Sequence, residues 1–455
     1  MSTRKRISIL NAILALALLI SGCSNAIRTT TGFDSNVSDW PQDADIAPGS
    51  ILADSNDAAQ IQQDSTGELT HSQAIALALA KNPELRSFSW DVRIAGAHRL
   101  RAGLLPNPEL AFEVEGFGGT GGRSGFNGAE TTVAISQPIE LGGKRSKRIK
   151  IADADKRRVQ WDYQAKRLEV YAKASRAFAG VLAAQQELQL ARDQVDLAEK
   201  LSDTVARRVE AGKDSPVEST KARIELASSQ VRLRKASAQI ELTKRQLTSL
   251  WTTDKSAFTE AVGQLDDLIP PGPYETLREA TLLHPSVRRW DDEIEAKSAA
   301  VELARAQSIP DISVMGGVKR FEEAGENTFV LGLMIPIPTS SRNKAGRMEA
   351  IYVSAKTLEL KKDSLARILE KMAEAHTRLV NAYDQAVALR EEILPNAEEA
   401  FHATLTGYEQ GKFDYLNVLD SQRTLFDLKR QIITTLLEYH QARADVESMI
   451  NRQLD

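Results

Sequence analysis

The sequence predicts a mainly α protein with a small β part, built from a duplicated helix–β-hairpin–long helical hairpin unit. Three observations carry that expectation. Val209-Glu210-Ala211-Gly212-Lys213 returns 199 positions later as Tyr408-Glu409-Gln410-Gly411-Lys412, and the heptad stripe Leu226, Leu233, Ile240, Leu247 returns at the same offset as Leu425, Ile432, Tyr439, Val446. Between Lys144 and Gly212 there is no proline and a single internal glycine, Gly180; a helix of that extent reaches about 100 Å, longer than an ordinary globular core. Short stretches in both halves alternate apolar and polar residues with a period of two. A unit of roughly 200 residues is too long for a solenoid repeat and demands internal pseudo-symmetry.

The first residues read as an export signal. Arg4-Lys5-Arg6 supplies a positive start, and Ile7 to Ile20 is apolar apart from Ser8 and Asn11, a run too short to span a bilayer. It closes in Ile20-Ser21-Gly22-Cys23, the pattern of a bacterial lipobox. Residues 1–22 are therefore expected to be a lipoprotein signal peptide, and residues 23–67 a flexible leader acylated at Cys23 and rich in Ser, Thr, Asp, Asn and Gln. The alternative is an ordinary signal peptide with a chance cysteine, but Cys23 is the only cysteine among 455 residues and stands where a lipobox needs it. One cysteine forms no intrachain disulfide and no thiolate metal cage. Ser24 in place of an aspartate resembles lipoproteins sent on to the outer membrane, and a lipid tethers a chain to a membrane surface without spanning it. With Cys23 as the anchor, Cys23→Ser leaves an uncleaved precursor that takes up no labelled palmitate; label persisting in the variant overturns the assignment.

The formal charge is −4, three units more negative once Arg4, Lys5 and Arg6 leave. Basic residues alternate with acids along the helices, which offers nucleic acid no basic face.

The first repeat is expected over 68–265 and the second over 266–455. Each opens on a helix, from Thr70 to about Leu104 with Thr70 as cap and a break at Pro83, and from Tyr274 to about Gln307 with Pro285 in the matching place. Asn82-Pro83-Glu84-Leu85 and His284-Pro285-Ser286-Val287 lie 202 apart, as do Pro108-Glu109-Leu110 and Pro310-Asp311-Ile312. Pro138-Ile139 and Pro336-Ile337 lie 198 apart, so one connection is shorter in the second copy. Two strands fill this region in each copy. Leu110, Phe112 and Val114 alternate with Ala111, Glu113 and Glu115; Val133 and Ile135 mark the second strand, and Ile312, Val314 and Val318 the third. In the fourth, Phe329, Leu331, Leu333 and Ile335 alternate with Thr328, Val330, Gly332 and Met334. Strands of about 9–11 residues suffice to cross a bilayer at a tilt, and Glu113 and Glu115 put carboxylates on a face that would meet water. On pattern alone, half-exposed hairpins on a soluble domain fit as well.

The long helix from Lys144 stops at Gly212, and a return helix runs from Pro216 to about Leu250. The second copy runs from about Asn343 to Thr406 with a kink at Pro395, breaks over Gly407 to Gly411, and returns from Asp414 to about Leu454. Small residues Ser229, Ala236 and Thr243 flank the heptad stripe and suit close antiparallel helices, so each break is expected to be the tip of a helical hairpin. Pro270-Pro271-Gly272-Pro273 makes the link between the copies an irregular crossing.

Gly116-Phe117-Gly118-Gly119-Thr120-Gly121 matches a dinucleotide fingerprint, but such a fingerprint must open a helix. The glycine-rich Gly122 to Gly128 cannot start one, so the segment is a loop at a strand tip. Histidines 71, 98, 284, 376, 402 and 440 are scattered without metal-ligand spacing. No catalytic constellation, metal site or cofactor site can be placed.

Four membrane-length strands cannot close a barrel alone, and an open edge in lipid leaves backbone groups unpaired. Closure needs hairpins from several chains, with long helices continuing the wall. The chain resembles the TolC-like outer membrane factors of tripartite efflux systems over about residues 68–455. The resemblance rests on the duplicated unit, on Gln137-Pro138-Ile139-Glu140-Leu141-Gly142-Gly143-Lys144-Arg145, and on the segment from Tyr408 to Arg423. The lipobox fits the acylated lipoprotein branch, and the Pro-Ile-Glu-Leu-Gly-Gly-Lys-Arg segment is similar to that of the heavy-metal cation branch.

That resemblance implies a homotrimer with a twelve-stranded outer membrane β-barrel continued by a periplasmic α-helical barrel. The partners it implies are a periplasmic adaptor (membrane fusion) protein, an inner membrane RND-type pump and outer membrane lipid; the chain itself would do no chemistry. It implies that Gly212, Lys213, Gly411 and Lys412 form the tips where the adaptor docks. It places Asp420 on the lumen side of the constriction and Asn417 where some relatives have another acid, with Asp414 in the same gate segment. Glu218 and Tyr408 stand where relatives link neighbouring helices, and Phe413 where some carry an arginine, which removes a cation from a second latch. Two rival readings are a lipid-anchored periplasmic adaptor, which has one helical hairpin between glycine-rich β modules, and a structural coiled-coil lipoprotein, which has no membrane-length strands.

Overall fold

The computed structural model describes residues 67–251, 258–339 and 343–454; Cys23, the signal segment and the leader up to residue 66 lie outside the described residues. The first half runs β1 (Glu68–Thr70), α1 (His71–Lys81), α2 (Pro83–Ala102), β2 (Glu109–Glu115), β3 (Glu130–Ile139), α3 (Lys144–Glu210), α4 (Pro216–Thr248) and β4 (Glu260–Val262). The second half runs α5 (Tyr274–Thr281), α6 (Pro285–Ala306), β5 (Ile312–Phe321), β6 (Glu326–Met334), α7 (Lys344–Ala388), α8 (Leu394–Glu409) and α9 (Tyr415–Ile450). The chain is mainly helical with a small sheet, as the periodicities predict. Among the described residues no helix is long and apolar enough to cross a membrane.

The helix ends follow local chemistry. Thr70 closes a capping box: Gln73 donates its N–H to the Thr70 hydroxyl at 3.4 Å, and Thr70 donates its N–H to Gln73 Oε1 at 2.9 Å. Asn82 ends α1 and caps α2, its Oδ1 accepting the Leu85 N–H at 2.9 Å. Pro83 therefore opens a helix, in the first turn, where its missing N–H is harmless. Helix α3 spans 67 residues without interruption, about 100 Å. The matching shaft of the second half is interrupted by a π-helical turn, Leu389–Ile393, just before Pro395. A proline ring cannot sit under the carbonyl four residues back, and the wider turn relieves that clash.

A four-stranded antiparallel sheet joins the halves in the order β2-β3-β5-β6. Strand β2 is 7 residues long, short of the 9–11 expected, while β3, β5 and β6 have 10, 10 and 9. The first hairpin uses a long glycine-rich loop, residues 116–129, and the second only residues 322–325, because β5 extends where β2 stops. Pro138 sits in β3 beyond Ser136, the last residue paired to β2, a position that needs no donor on that side.

The register sorts the side chains into two faces. Phe112, Val133, Val318 and Phe329 are cross-strand partners, and Leu110, Ile135, Gly316 and Leu331 form the next row on the same face. Opposite them lie Glu113, Thr132, Lys319 and Thr328. The apolar face is bare: Phe112 is 70% exposed, Leu331 85% and Phe329 92%.

At the helix end of the sheet, Asp311 Oδ1 accepts both the Leu141 N–H at 2.8 Å and the Lys144 ammonium at 2.7 Å. Arg148 donates to Glu140 Oε2 at 2.8 Å. The Glu140-to-Lys144 segment thus pins the exit of one hairpin to the entry of the next.

The apolar core lies along the helices. Phe178 and Val181 of α3 pack with Ile432 and Leu436 of α9 and with Ala74, Ala78 and Leu85. Strands β1 and β4 form a parallel pair, Leu69 opposite Ala261, which the sequence reading missed. Gln185 on α3 holds Ala261 by both amide atoms, at 3.0 and 2.9 Å. The irregular link is held as well: Tyr439 Oη donates to the Ile269 carbonyl at 2.9 Å and accepts its N–H at 2.8 Å, and His440 and His376 donate from Nε2 to the Leu265 and Gly272 carbonyls.

Candidate functional site

The breaks after α3 and α8 come together. Both helices end in a Schellman motif. In the first, Gly212 donates to Val209 at 2.9 Å and Lys213 to Arg208 at 2.8 Å; in the second, Gly411 donates to Tyr408 at 2.9 Å and Lys412 to Gly407 at 2.8 Å. Gly212 and Gly411 hold φ of +69° and +74°, the left-handed region that glycine enters without strain. A Cβ at either would meet nothing within 4 Å, so only backbone strain opposes substitution. Gly212, Lys213, Gly411 and Lys412 are exposed.

Behind the tips, Arg208, Asp214 and Tyr408 form one unit. Arg208 donates to both Asp214 oxygens at 2.8 and 3.1 Å and to the Tyr408 carbonyl at 3.1 Å. Its guanidinium carbon stands 4.5 Å from the centre of the Tyr408 ring. The Tyr408 hydroxyl donates to Asp214 Oδ2 at 2.6 Å, joining the two hairpins with a charge-assisted bond. The partner of Tyr408 is thus Asp214 and not Glu218. The Arg208 guanidinium holds the Asp214 carboxyl below its ordinary range against the effect of burial, with help from the Tyr408 hydroxyl. Burial, and then Asp214, pushes the Tyr408 phenol up. Glu218 stands close by, raised by burial and by the Asp214 and Asp414 carboxylates.

The duplication exposes a substitution of chemistry. At the 199-residue offset, Arg208 and Asp214 correspond to Gly407 and Phe413. Where the first tip has an ion pair, the second lays the Phe413 ring on bare helix: a Cβ at Gly407 would collide with the Phe413 ring. Arg208 and Asp214 escaped the sequence reading, and Gly407, expected to open the second break, lies inside α8; superposing the repeats at that offset shows both positions changing together.

Asp414 caps α9, its Oδ1 accepting the Asn417 N–H at 3.2 Å. Asn417 and Asp420 are exposed on the first turns of α9. A layer deeper, the buried Glu225 takes Arg232 and, at 3.1 Å, Arg423. At the other end of the chain's elements, Glu113 and Glu115 share the polar face of the sheet, where Lys319 reaches Glu115 at 3.1 Å and Glu130 at 2.5 Å. Among the described residues no three His, Cys, Asp or Glu side chains gather as a metal site.

A family model described as outer membrane efflux protein matches residues 74–253 and 276–452. The chain is 32% identical over 390 residues to the cobalt-zinc-cadmium resistance protein CzcC of Cupriavidus metallidurans, covering 86% of this chain and 92% of that protein. It is 29% identical to the nickel-cobalt-cadmium resistance protein NccC of Alcaligenes xylosoxydans xylosoxydans, over 61% of this chain and 62% of the relative. Its fold is similar to a crystal structure of CusC, with a TM-score of 0.71 at 18% identity over 84% of this chain and 91% of that one. It is also similar to the outer membrane protein VceC of Vibrio cholerae, with a TM-score of 0.68 at 17% identity over 85% and 97%.

Proposed function

Because the chain belongs to the outer membrane efflux protein family, we propose that it is the outer membrane exit channel of a tripartite efflux system that reaches into the periplasm. The family is one of transport proteins, not enzymes. Two repeats, 68–265 and 266–455, supply the four barrel strands β2, β3, β5 and β6 of each chain, and three chains close a twelve-stranded barrel continued by a tube of helices. Cys23 anchors the leader in outer membrane lipid. The partners are a periplasmic adaptor and an inner membrane RND-type pump. Heavy-metal cations are the favoured cargo, since the relatives at 32% and 29% identity are named for cobalt, zinc, cadmium and nickel resistance.

One observation carries the membrane part of this reading. The sheet leaves its large apolar side chains uncovered and places carboxylates on the reverse face, the arrangement a barrel wall needs between lipid and water. The alternatives do not combine such a sheet with two helical hairpins. Purified in detergent, the protein should size as three copies and give stable pores in a planar bilayer; a monomer without conductance would sink the proposal.

At the far end, the tips dock the adaptor, and Asp420 rings the constriction with Asn417 and Asp414 beside it. Gly411→Leu or Gly212→Leu forces a left-handed residue with a side chain, a strain of about 1–2 kcal/mol, into an otherwise open position. Each variant should still be exported and trimeric yet lose metal resistance in cells. Unchanged resistance with both replaced removes the tips from the docking surface.

A further inference from the structure

His376 and His440 donate from Nε2 to backbone carbonyls, bonds that survive protonation of the ring. His284 is used in the opposite sense. It is the N-cap of α6, and its Nδ1 accepts the Ser286 N–H at 3.1 Å. A ring nitrogen that accepts carries no proton, so this cap exists only while the imidazole is neutral. Protonation sets a donor against a donor and adds a cation at the positive end of the helix. The matching residue of the first repeat is Asn82, which caps α2 with an oxygen that does not titrate in this range.

We propose that His284 is an acid-sensitive catch, which releases the first turn of α6 in the second repeat while α2 in the first repeat stays capped. The charged side chains lining the groove beside it offer no free carboxylate for an imidazolium. Lys166 pairs with Glu169, Arg176 with Asp445, Asp162 with Arg289, and Arg367 with Asp363, while Lys371 adds positive charge. Burial pushes the His284 ring down from its ordinary 6.5 to about 4. An opened turn takes up the proton first, so the cap is fully effective above pH 6.5 and is lost as the pH falls toward 4.

The test is hydrogen exchange on the purified full chain at pH 7.5 and 4.5, with amide rates corrected for intrinsic pH dependence. The first turn of α6 should lose protection about fivefold or more in acid, the weight of one capping bond, while the first turn of α2 should not. His284→Asn should keep protection at both pH values, and His284→Ala should lack it at both. Unchanged protection of α6 in the native protein, or an equal acid loss in His284→Asn, overturns the proposal.

Discussion

Arginine at Phe112 is expected to abolish the assembled barrel, while glutamine at the adjacent Glu113 is tolerated. Phe112 lies in the row with Val133, Val318 and Phe329 and is 70% exposed on the apolar face. With lipid against that face, a cation near the midplane costs about 2–4 kcal/mol in every chain, and symmetry repeats the cost in each copy. Glu113 lies on the reverse face with Thr132, Lys319 and Thr328, where losing a charge alters ion selectivity and leaves the wall intact. Retention of the trimer on unheated gels, followed by bilayer conductance, reads both effects. Equal tolerance at the two positions removes the sheet from the membrane.

The second large effect is expected at the contact between the hairpins. A hydrogen bond to an ionised group contributes about 1.5–3 kcal/mol, which corresponds to about 10- to 150-fold in a closed-to-open equilibrium. Tyr408→Phe removes the bond to Asp214; Asp214→Asn also weakens the bidentate hold of Arg208 and should open the channel further. Glu218→Gln, which leaves these bonds in place, should change little. The depressed Asp214 pKa means that its stabilisation is present above the ordinary 3.8 and is lost only as the pH falls through the lower folded value. Single-channel recording decides: higher open occupancy for Asp214→Asn supports the contact as the closure. An effect of Glu218→Gln alone places the closure elsewhere.

The parts of this fold that were legible in sequence are those fixed by neighbours along the chain. The uninterrupted run after Lys144, the cap at Thr70, the glycines at the tips and the alternation around Phe112 are all local signals, and each specified its element. Long-range selection was not legible. Strands β1 and β4 have 3 residues each, too few for a period to show, and exist because the chain ends of one repeat meet on α3. The resemblance set Glu218 with Tyr408 as a link between helices, and only the turn geometry after Gly212 brings Asp214 instead to the Tyr408 hydroxyl. Strand β2 reads longer than 7 residues by alternation, yet Gly116 turns to φ +70° and ends it.

The double hold of Asp311 on Leu141 and Lys144 has a mechanical consequence. A neck pinned at the place where strands become shafts has no joint there. In the proposed channel, torque applied at the outer mouth would then pass the neck and travel down the shafts as elastic twist. The compliant parts are then the free ends, one made of glycine loop and the other of side chains that can let go. Such a channel would act as a torsion spring gripped near one end, with its working stroke at the other.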